Sequence, residues 1–205
     1  MSTDKKEHII DVALALFAEK GFEGTSIRDI AAKAGVNLAM VNYYFGSKEN
    51  LFEIMVREKS AYTRNILDSI VRDDTLTEIE KLDRIIDNYI DKLFANRSFH
   101  RIIHQELMLN QRESLQTSIV NILTPNKMII GSIIEKGMQK GVFRKVDTEL
   151  TIVSIMGTIN QVLLSGKMCN RMLGTPDDYV PYEDEQFKQR VTSHLKQLTH
   201  AHLLQ

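Results

Sequence analysis

The sequence predicts an all-helical fold. Apolar residues recur three and four positions apart along nearly the whole chain, which is the spacing of one helix face, and strand-like alternation is almost absent. With 205 residues, of which 43% are hydrophobic, the chain is long enough to bury a core of its own. We therefore predict an all-α protein of about nine helices, with a small three-helix domain over residues 1–50 and a larger helical domain over residues 51–205.

The first two helices have clear boundaries. The first is predicted from about Thr3 to Lys20 and ends at the glycine that follows, a residue that favours a C-terminal cap. The second begins at Thr25 or Ser26, because Ser26 and Asp29 have the spacing of a capping box. Gly35 ends this second helix, since a glycine adopts the positive φ that closes a helix.

A short third helix and a long fourth helix follow. The third is predicted from about Leu38 to Tyr44, and Ser47 can cap a fourth helix that runs to about Val71. A helix of that length can link the two domains. The polar residues 73–75 then break the pattern.

The larger domain begins with two amphipathic helices separated near residues 96–98. Their apolar stripes are Leu82, Ile86, Tyr89 and Leu93 in one and Phe99, Ile103 and Leu107 in the other. From Leu115 the helical pattern runs past Pro125 to Met138. Either this helix kinks at Pro125, or Thr124 and Pro125 are the cap and first residue of a new helix, and we favour the second interpretation.

The C-terminal part is predicted to hold two further helices. Asp147 caps a helix that runs to about Leu164. Glycines, prolines and aspartates over residues 174–181 predict a loop. A last helix extends from about Glu183 to Leu204.

Composition limits the cellular setting and the possible partners. Cys169 is the single cysteine, so no intrachain disulfide can form and a reducing cytoplasm is expected. Asp11 interrupts the apolar run near the N-terminus, which predicts neither a signal peptide nor a membrane span. The net charge of -1 gives no general support for nucleic-acid binding. However, residues 30–48 contain no carboxylate, so this stretch would not repel phosphates.

That carboxylate-free stretch lies within a helix-turn-helix pattern. Residues 27–45 read IRDIAAKAGVNLAMVNYYF. Ala31 allows a second helix to approach closely, and Gly35 permits the tight turn between the helices. Val41 and the apolar residues before the turn form the wedge between the two helices.

Residues 25–52, TSIRDIAAKAGVNLAMVNYYFGSKENLF, and the preceding ALALFAEKGFEGTSI resemble the DNA-binding domain of the TetR/AcrR repressors. The resemblance covers residues 8–56. It implies an N-terminal DNA-binding domain and a larger C-terminal domain that binds a small effector and dimerises. The implied function is a ligand-responsive repressor that binds palindromic operator DNA as a homodimer and is released by the effector. The chain is therefore not expected to be an enzyme.

The resemblance also assigns DNA contacts. It places on the groove-facing side of the third helix Leu38, Ala39, Met40, Asn42 and Tyr44, with Arg28 of the second helix beside them. An asparagine can pair with an adenine edge and an arginine with guanine, whereas the apolar residues can contact thymine methyl groups. Phosphate contacts are expected from Thr25, Ser26, Asn37, Tyr43 and Lys48. The sequence departs from the common family pattern at Leu38 and Asn42.

A twofold dimer would hold two recognition helices one DNA turn apart. The resemblance places the dimer interface on the last two long helices, with candidate residues Ser154, Gly157, Phe187, Val191, Leu195 and Leu198. The alternative is that these helices only close the core of the single chain. A cavity for a small hydrophobic effector needs apolar walls and a few polar anchors. Its candidate residues are Tyr89, His100, His104, Gln105, Met108, Met128, Asn160 and Gln161.

Two other functions are weighed against this interpretation. A small helical enzyme would draw on the HRIIHQE segment at residues 100–106, but two histidines with no base between them do not form the HExxH zinc motif. No metal site and no cofactor are therefore predicted. A helical protein-interaction adaptor would use the helix-turn-helix for protein contacts, but an apolar docking surface does not need phosphate donors.

Overall fold

The computed structural model describes residues 2–109, 111–164, 167–176 and 178–204. Within these ranges the chain forms ten α-helices and a short 3-10 turn at Pro181–Glu183, with no β-strand. The all-α prediction is therefore confirmed. The helices are α1 (Ser2–Lys20), α2 (Ile27–Lys33), α3 (Leu38–Phe45), α4 (Lys48–Arg72), α5 (Glu78–Ala95), α6 (Arg97–Leu109), α7 (Glu113–Gln139), α8 (Thr148–Leu164), α9 (Lys167–Leu173) and α10 (Glu185–Leu203).

Local capping signals were sufficient to place several helix starts. The hydroxyl of Ser26 accepts a hydrogen bond from the amide of Asp29, and the Asp29 carboxylate accepts one from the amide of Ser26. Ser47 and Asp147 cap α4 and α8 in the same way, each accepting a hydrogen bond from the amide three residues later. The predicted caps at these three positions are therefore confirmed. Each cap satisfies an amide that the helix itself leaves unbonded.

Helix α7 differs from the favoured prediction. It continues through Pro125 as one helix of 27 residues, so the interpretation of Pro125 as the start of a new helix was wrong. A proline within a helix removes one backbone hydrogen bond. The bond lost at Pro125 is the one to the carbonyl of Asn121, whereas the neighbouring hydroxyl of Thr124 donates to the carbonyl of Val120, one turn before Thr124. The short helix α9 was not predicted from the sequence.

The chain packs into two compact units. The first contains the residues up to Thr63 together with Ser98–Thr124, and the second contains Arg64–Arg97 and the residues from Pro125 onward. This division differs from the predicted boundary at residue 50. The reason is that the first half of α4, beginning with Leu51 and Phe52, is fully buried in the core of the first unit.

The core of the first unit joins α1 to α4 with α6 and the start of α7. Its centre is an aromatic cluster in which the ring of Phe22 stacks on Phe17 and meets Phe52 edge to face, with both centroid distances at 5.5 Å. Ile103 and Ile119, from α6 and α7, belong to the same buried cluster. The helices around α3 are thus held by one continuous apolar core.

The second unit has two apolar clusters. One joins the end of α4 to α5, α7 and the last residues of α10, and the other joins α5, α8 and α10. Three predicted dimer-interface residues lie inside the second cluster, because Phe187, Val191 and Leu195 are at most 6% exposed. Their assignment to a dimer interface was wrong, since side chains already buried within one chain cannot cover a partner.

Candidate nucleic-acid interface

The turn between α2 and α3 sets the angle of α3. Gly35 adopts a φ of +64°, a conformation that strains residues with a Cβ. The amide of Val36 donates to the carbonyl of Ala31 at 3.0 Å, which closes the end of α2. Val41 and Phe45 then point into the core with at most 1% exposure. Helix α3 is therefore anchored by one face.

The opposite face of α3 is open to solvent. Asn42 and Ala39 are exposed, Tyr43 is 85% exposed, and Leu38 is 37% exposed. Met40 and Tyr44 are half-buried. Together with the exposed Arg28 on α2, these are the side chains for which base or backbone contacts were predicted. The exposed side chains among them are available for such contacts.

The N-terminal caps of α2 and α3 are also at the surface. The Asn37 side chain accepts a hydrogen bond from the amide of Met40 at 2.7 Å, and Ser26 caps α2. The hydroxyl of Ser26 donates to the carboxylate of Asp29 at 2.7 Å. That bond and the bond from the Ser26 amide hold the pKa of Asp29 below its usual value. Both predicted phosphate contacts, Ser26 and Asn37, therefore combine solvent exposure with a fixed backbone position.

Thr25 does not fit its predicted role. Its side chain is 1% exposed, and its hydroxyl lies within hydrogen-bond distance of the carbonyls of Leu16 and Gly21. The prediction that Thr25 contacts phosphate was wrong, because its hydroxyl is bonded within the protein. Instead, Thr25 ties the turn before α2 to the end of α1.

Lys48 is likewise used inside the protein. Its ammonium group donates to the carbonyls of Phe22 at 2.9 Å and Thr25 at 3.0 Å, and it lies 4.3 Å from the centre of the Phe22 ring. A cation in this position is attracted by the negative face of the ring. Two of the three N–H donors of Lys48 thus clamp the turn that precedes α2, and its phosphate contact stays a prediction.

Comparison with known families matches both parts of the chain. Residues 9–55 match the family described as bacterial regulatory proteins, tetR family, and residues 75–164 match a tetracyclin repressor-like C-terminal domain. The chain belongs to the TetR family. It is therefore a transcriptional regulator with an N-terminal helix-turn-helix.

Individual relatives agree with this family. The chain is 31% identical to a probable HTH-type transcriptional regulator, YttP of Bacillus subtilis, over 67% of this chain and 66% of that protein. It is also 31% identical to the transcriptional repressor NicS of Pseudomonas putida, over 68% of this chain and 66% of that protein. Both alignments thus span just under two thirds of the relative.

A solved structure extends the similarity over most of the chain. The transcriptional regulator FadR from Bacillus subtilis in complex with stearoyl-CoA is 25% identical, with a TM-score of 0.74. The similarity covers 92% of this chain and 96% of that chain. The structural similarity therefore extends beyond the DNA-binding region to most of the chain.

The candidate effector residues divide between the two units. His100, His104, Gln105 and Met108 lie in the first unit, and Tyr89, Met128, Asn160 and Gln161 lie in the second. Met108 is 82% exposed and Met128 is 65% exposed. Their predicted role in lining a cavity within the chain was wrong, because both side chains face solvent. Gln105 and Gln161 are also exposed.

Tyr89 and Asn160 are the more enclosed candidates of the second unit. The phenol of Tyr89 packs against the apolar cluster of α5, α8 and α10, and burial raises its pKa above the usual value. Asn160 on α8 has a buried side-chain oxygen without a hydrogen-bond partner. A buried unpaired acceptor is costly, so it indicates a place where a ligand could donate.

Two remaining observations concern metals and membranes. Among the described residues, no group of three or more His, Cys, Asp or Glu side chains is placed to hold a metal ion. In those same ranges, no single helix is long and apolar enough to cross a bilayer. Only the bent pair formed by residues 148–162 and Lys167–Leu173 reaches such a length and apolarity in combination.

Sequence reasoning missed three residues that organise the turn before α2: Phe22, Glu106 and Arg112. Arg112 pairs with both Glu106 and Glu23, and its guanidinium lies 4.4 Å from the centre of the Phe22 ring. Phe22 and Arg112 are 90 positions apart in the chain, so no local pattern could have connected them. The only local signal was an arginine placed between two amphipathic helices.

The clamp formed by Lys48 leads to a prediction about stability. In Lys48→Gln the two carbonyls lose a charged donor, so we expect the free energy of unfolding to fall by about 1–3 kcal/mol. Urea denaturation followed by circular dichroism measures this change. The exposed Arg57 on the same helix provides the control, because Arg57→Gln removes the same charge and should change stability by less than about 0.5 kcal/mol. Equal effects of the two substitutions would contradict the clamp.

Proposed function

We propose that this TetR-family regulator is a repressor that binds palindromic operator DNA as a homodimer and is released by a small hydrophobic effector. The observation that supports DNA binding best is the exposed face of α3, opposite a face that the core anchors firmly. Such a helix can enter a major groove as a rigid body without exposing its apolar side. A protein with this function acts in the cytoplasm, where its DNA is.

The chemistry of the α3 face favours a specific mode of recognition. The carboxamide of Asn42 can both donate to and accept from an adenine edge, which discriminates adenine from the other bases. Leu38, Ala39 and Met40 offer apolar contacts suited to thymine methyl groups. Tyr43, with its exposed ring and hydroxyl, and Asn37 suit the phosphate backbone. We therefore propose an operator whose half-sites are rich in A·T pairs.

Selection of random duplex DNA by the full chain, followed by sequencing, tests this function. We expect a palindrome whose half-site centres are separated by about one helical turn or a multiple of it. Asn42→Ala should weaken binding to the selected duplex by about 1–3 kcal/mol and relax the preference at one position of each half-site. Gln139→Ala, at the exposed end of α7, should leave binding unchanged. Recovery of no preferred duplex at low salt would refute the proposed function.

The dimer interface is proposed on α8. Leu150, Val153, Ser154 and Gly157 are exposed, and their spacing of three and four places them on one helix face. Leu150 and Val153 are 63% and 62% exposed, although residues of this type are usually covered. A Cβ added at Gly157 would meet nothing within 4 Å, so no contact within the chain requires the glycine. Close approach of a partner helix would require it. The exposed Leu198 of α10 is proposed to join this face.

Substitution of Val153 tests the dimer. Because the side chain is exposed in the single chain, Val153→Glu should leave the fold intact while placing a charge in the proposed interface. We expect sedimentation velocity to show a monomer where the unchanged protein sediments as a dimer, and we expect weaker operator binding. Met128→Glu introduces the same charge at an equally exposed position on α7 and should still dimerise. A dimer that persists in Val153→Glu would place the interface elsewhere.

The effector is proposed to be an acyl thioester or another molecule with a long acyl chain. Support comes from the similarity to FadR, whose structure contains stearoyl-CoA, and from Tyr89, which packs against an apolar cluster of the second unit. The unpaired oxygen of Asn160 would accept a hydrogen bond from an amide N–H, such as those of the pantetheine arm. An acyl chain is apolar, and ligand sites in proteins are lined mainly by apolar side chains.

Stearoyl-CoA is the probe for this part of the proposal. Added to the complex of protein and selected duplex, it should weaken operator binding by about tenfold or more, because a coupling of roughly 1–3 kcal/mol is usual between effector and DNA sites. Asn160→Leu should reduce this response and keep the basal operator affinity. The matched control is Gln161→Leu at the exposed neighbouring position. If both variants respond like the unchanged protein, Asn160 does not anchor the effector.

A further inference from the structure

We propose that Arg112 is a positioning residue for DNA binding. It holds the turn between α1 and α2, and through that turn it sets the orientation of α2 and α3. This inference rests on the proposed function, since it concerns how the helix-turn-helix is kept ready to bind. All the residues involved belong to the first compact unit.

The guanidinium of Arg112 is itself rigidly fixed. It follows α6 in the chain, and its Nε and Nη2 atoms each donate to a different carboxylate oxygen of Glu106 at 2.8 Å. The side chain of Arg112 is 16% exposed and that of Glu106 is 3% exposed. Paired donors on a paired acceptor fix the plane of the guanidinium as well as its position. Its remaining terminal nitrogen pairs with Glu23 of the turn.

This fixed guanidinium contacts Phe22, the aromatic residue of the turn. The guanidinium carbon of Arg112 lies 4.4 Å from the centre of the ring, and the ammonium nitrogen of Lys48 lies 4.3 Å from it. Both distances are within the range of a cation-π interaction. The ring also packs on Phe17 and Phe52. Arg112 is the residue after α6 through which the chain contacts this ring.

The position of Phe22 determines where α2 begins. Two residues separate it from Thr25 and three from the capping residue Ser26, and Lys48 binds the carbonyls of both Phe22 and Thr25. A movement of the ring therefore moves the start of α2, and α3 follows through the tight turn at Gly35.

A cleft of about 140 Å³ lies beside the ring, and its lining includes Phe17, Phe22, Gln105, Glu106 and Arg112. It provides space into which the turn can relax when the guanidinium is removed.

Arg112→Gln tests this role with two measurements on the full-length protein. Hydrogen exchange followed by mass spectrometry should show faster exchange for residues 22–33, with no comparable change in α10. Binding to the operator duplex selected from random DNA should weaken roughly three- to tenfold, because a smaller fraction of the protein holds α3 in the binding orientation. Glu106→Gln, which leaves the arginine in place but removes the negative charge and one of the two acceptor oxygens, should act in the same direction. Arg57→Gln controls for the lost charge.

The two measurements separate the possible failures. If the unchanged protein selects no duplex, the proposed function fails, and hydrogen exchange still decides whether Arg112 holds the turn. If Arg112→Gln binds the operator as tightly as the unchanged protein, or if exchange rises uniformly over the first unit with unchanged operator affinity, the positioning role is overturned. Should Arg112→Gln fold poorly, the same comparison is made with Glu106→Gln.

Discussion

The placement of α3 depends on the contacts that fix residues 21–26 between α1 and α2. This turn is bonded from three sides: the hydroxyl of Thr25 to α1, the ammonium of Lys48 from α4, and the guanidinium of Arg112 from the segment after α6. Each bond uses a polar or charged group against backbone carbonyls or an aromatic face. The apolar core alone fixes which face of α3 is buried. The polar contacts fix the position in space of the start of α2, which carries α3 with it.

This division of roles explains how much the sequence could predict. The caps at Ser26, Ser47 and Asp147, the turn at Gly35 and the amphipathic faces are local features, because each depends on residues within one or two helical turns. They were predicted correctly, and with them the all-α fold. The resemblance to a known family supplied the function that local patterns alone could not supply.

The errors concern side chains whose partners lie within the folded chain. Thr25 was expected to contact phosphate, but its hydroxyl is bonded to the carbonyls of Leu16 and Gly21. Phe187 and its neighbours on α10 have the spacing of an interface stripe, yet the same spacing serves to cover α5 and α8. Periodicity shows that a helix face is buried and does not show which surface buries it. In α7, Pro125 remains within a helix that local rules would end.

The unpaired side-chain oxygen of Asn160 has a consequence for the proposed effector site. A buried oxygen without a hydrogen-bond partner lowers the stability of the folded state by about 1–3 kcal/mol. A bound molecule that donates to it removes this penalty in addition to its ordinary binding contribution. Under the proposed function, effector binding at Asn160 would therefore raise the stability of the fold. Resistance to heat then becomes a direct measure of occupancy, by which candidate compounds can be ranked without any DNA present.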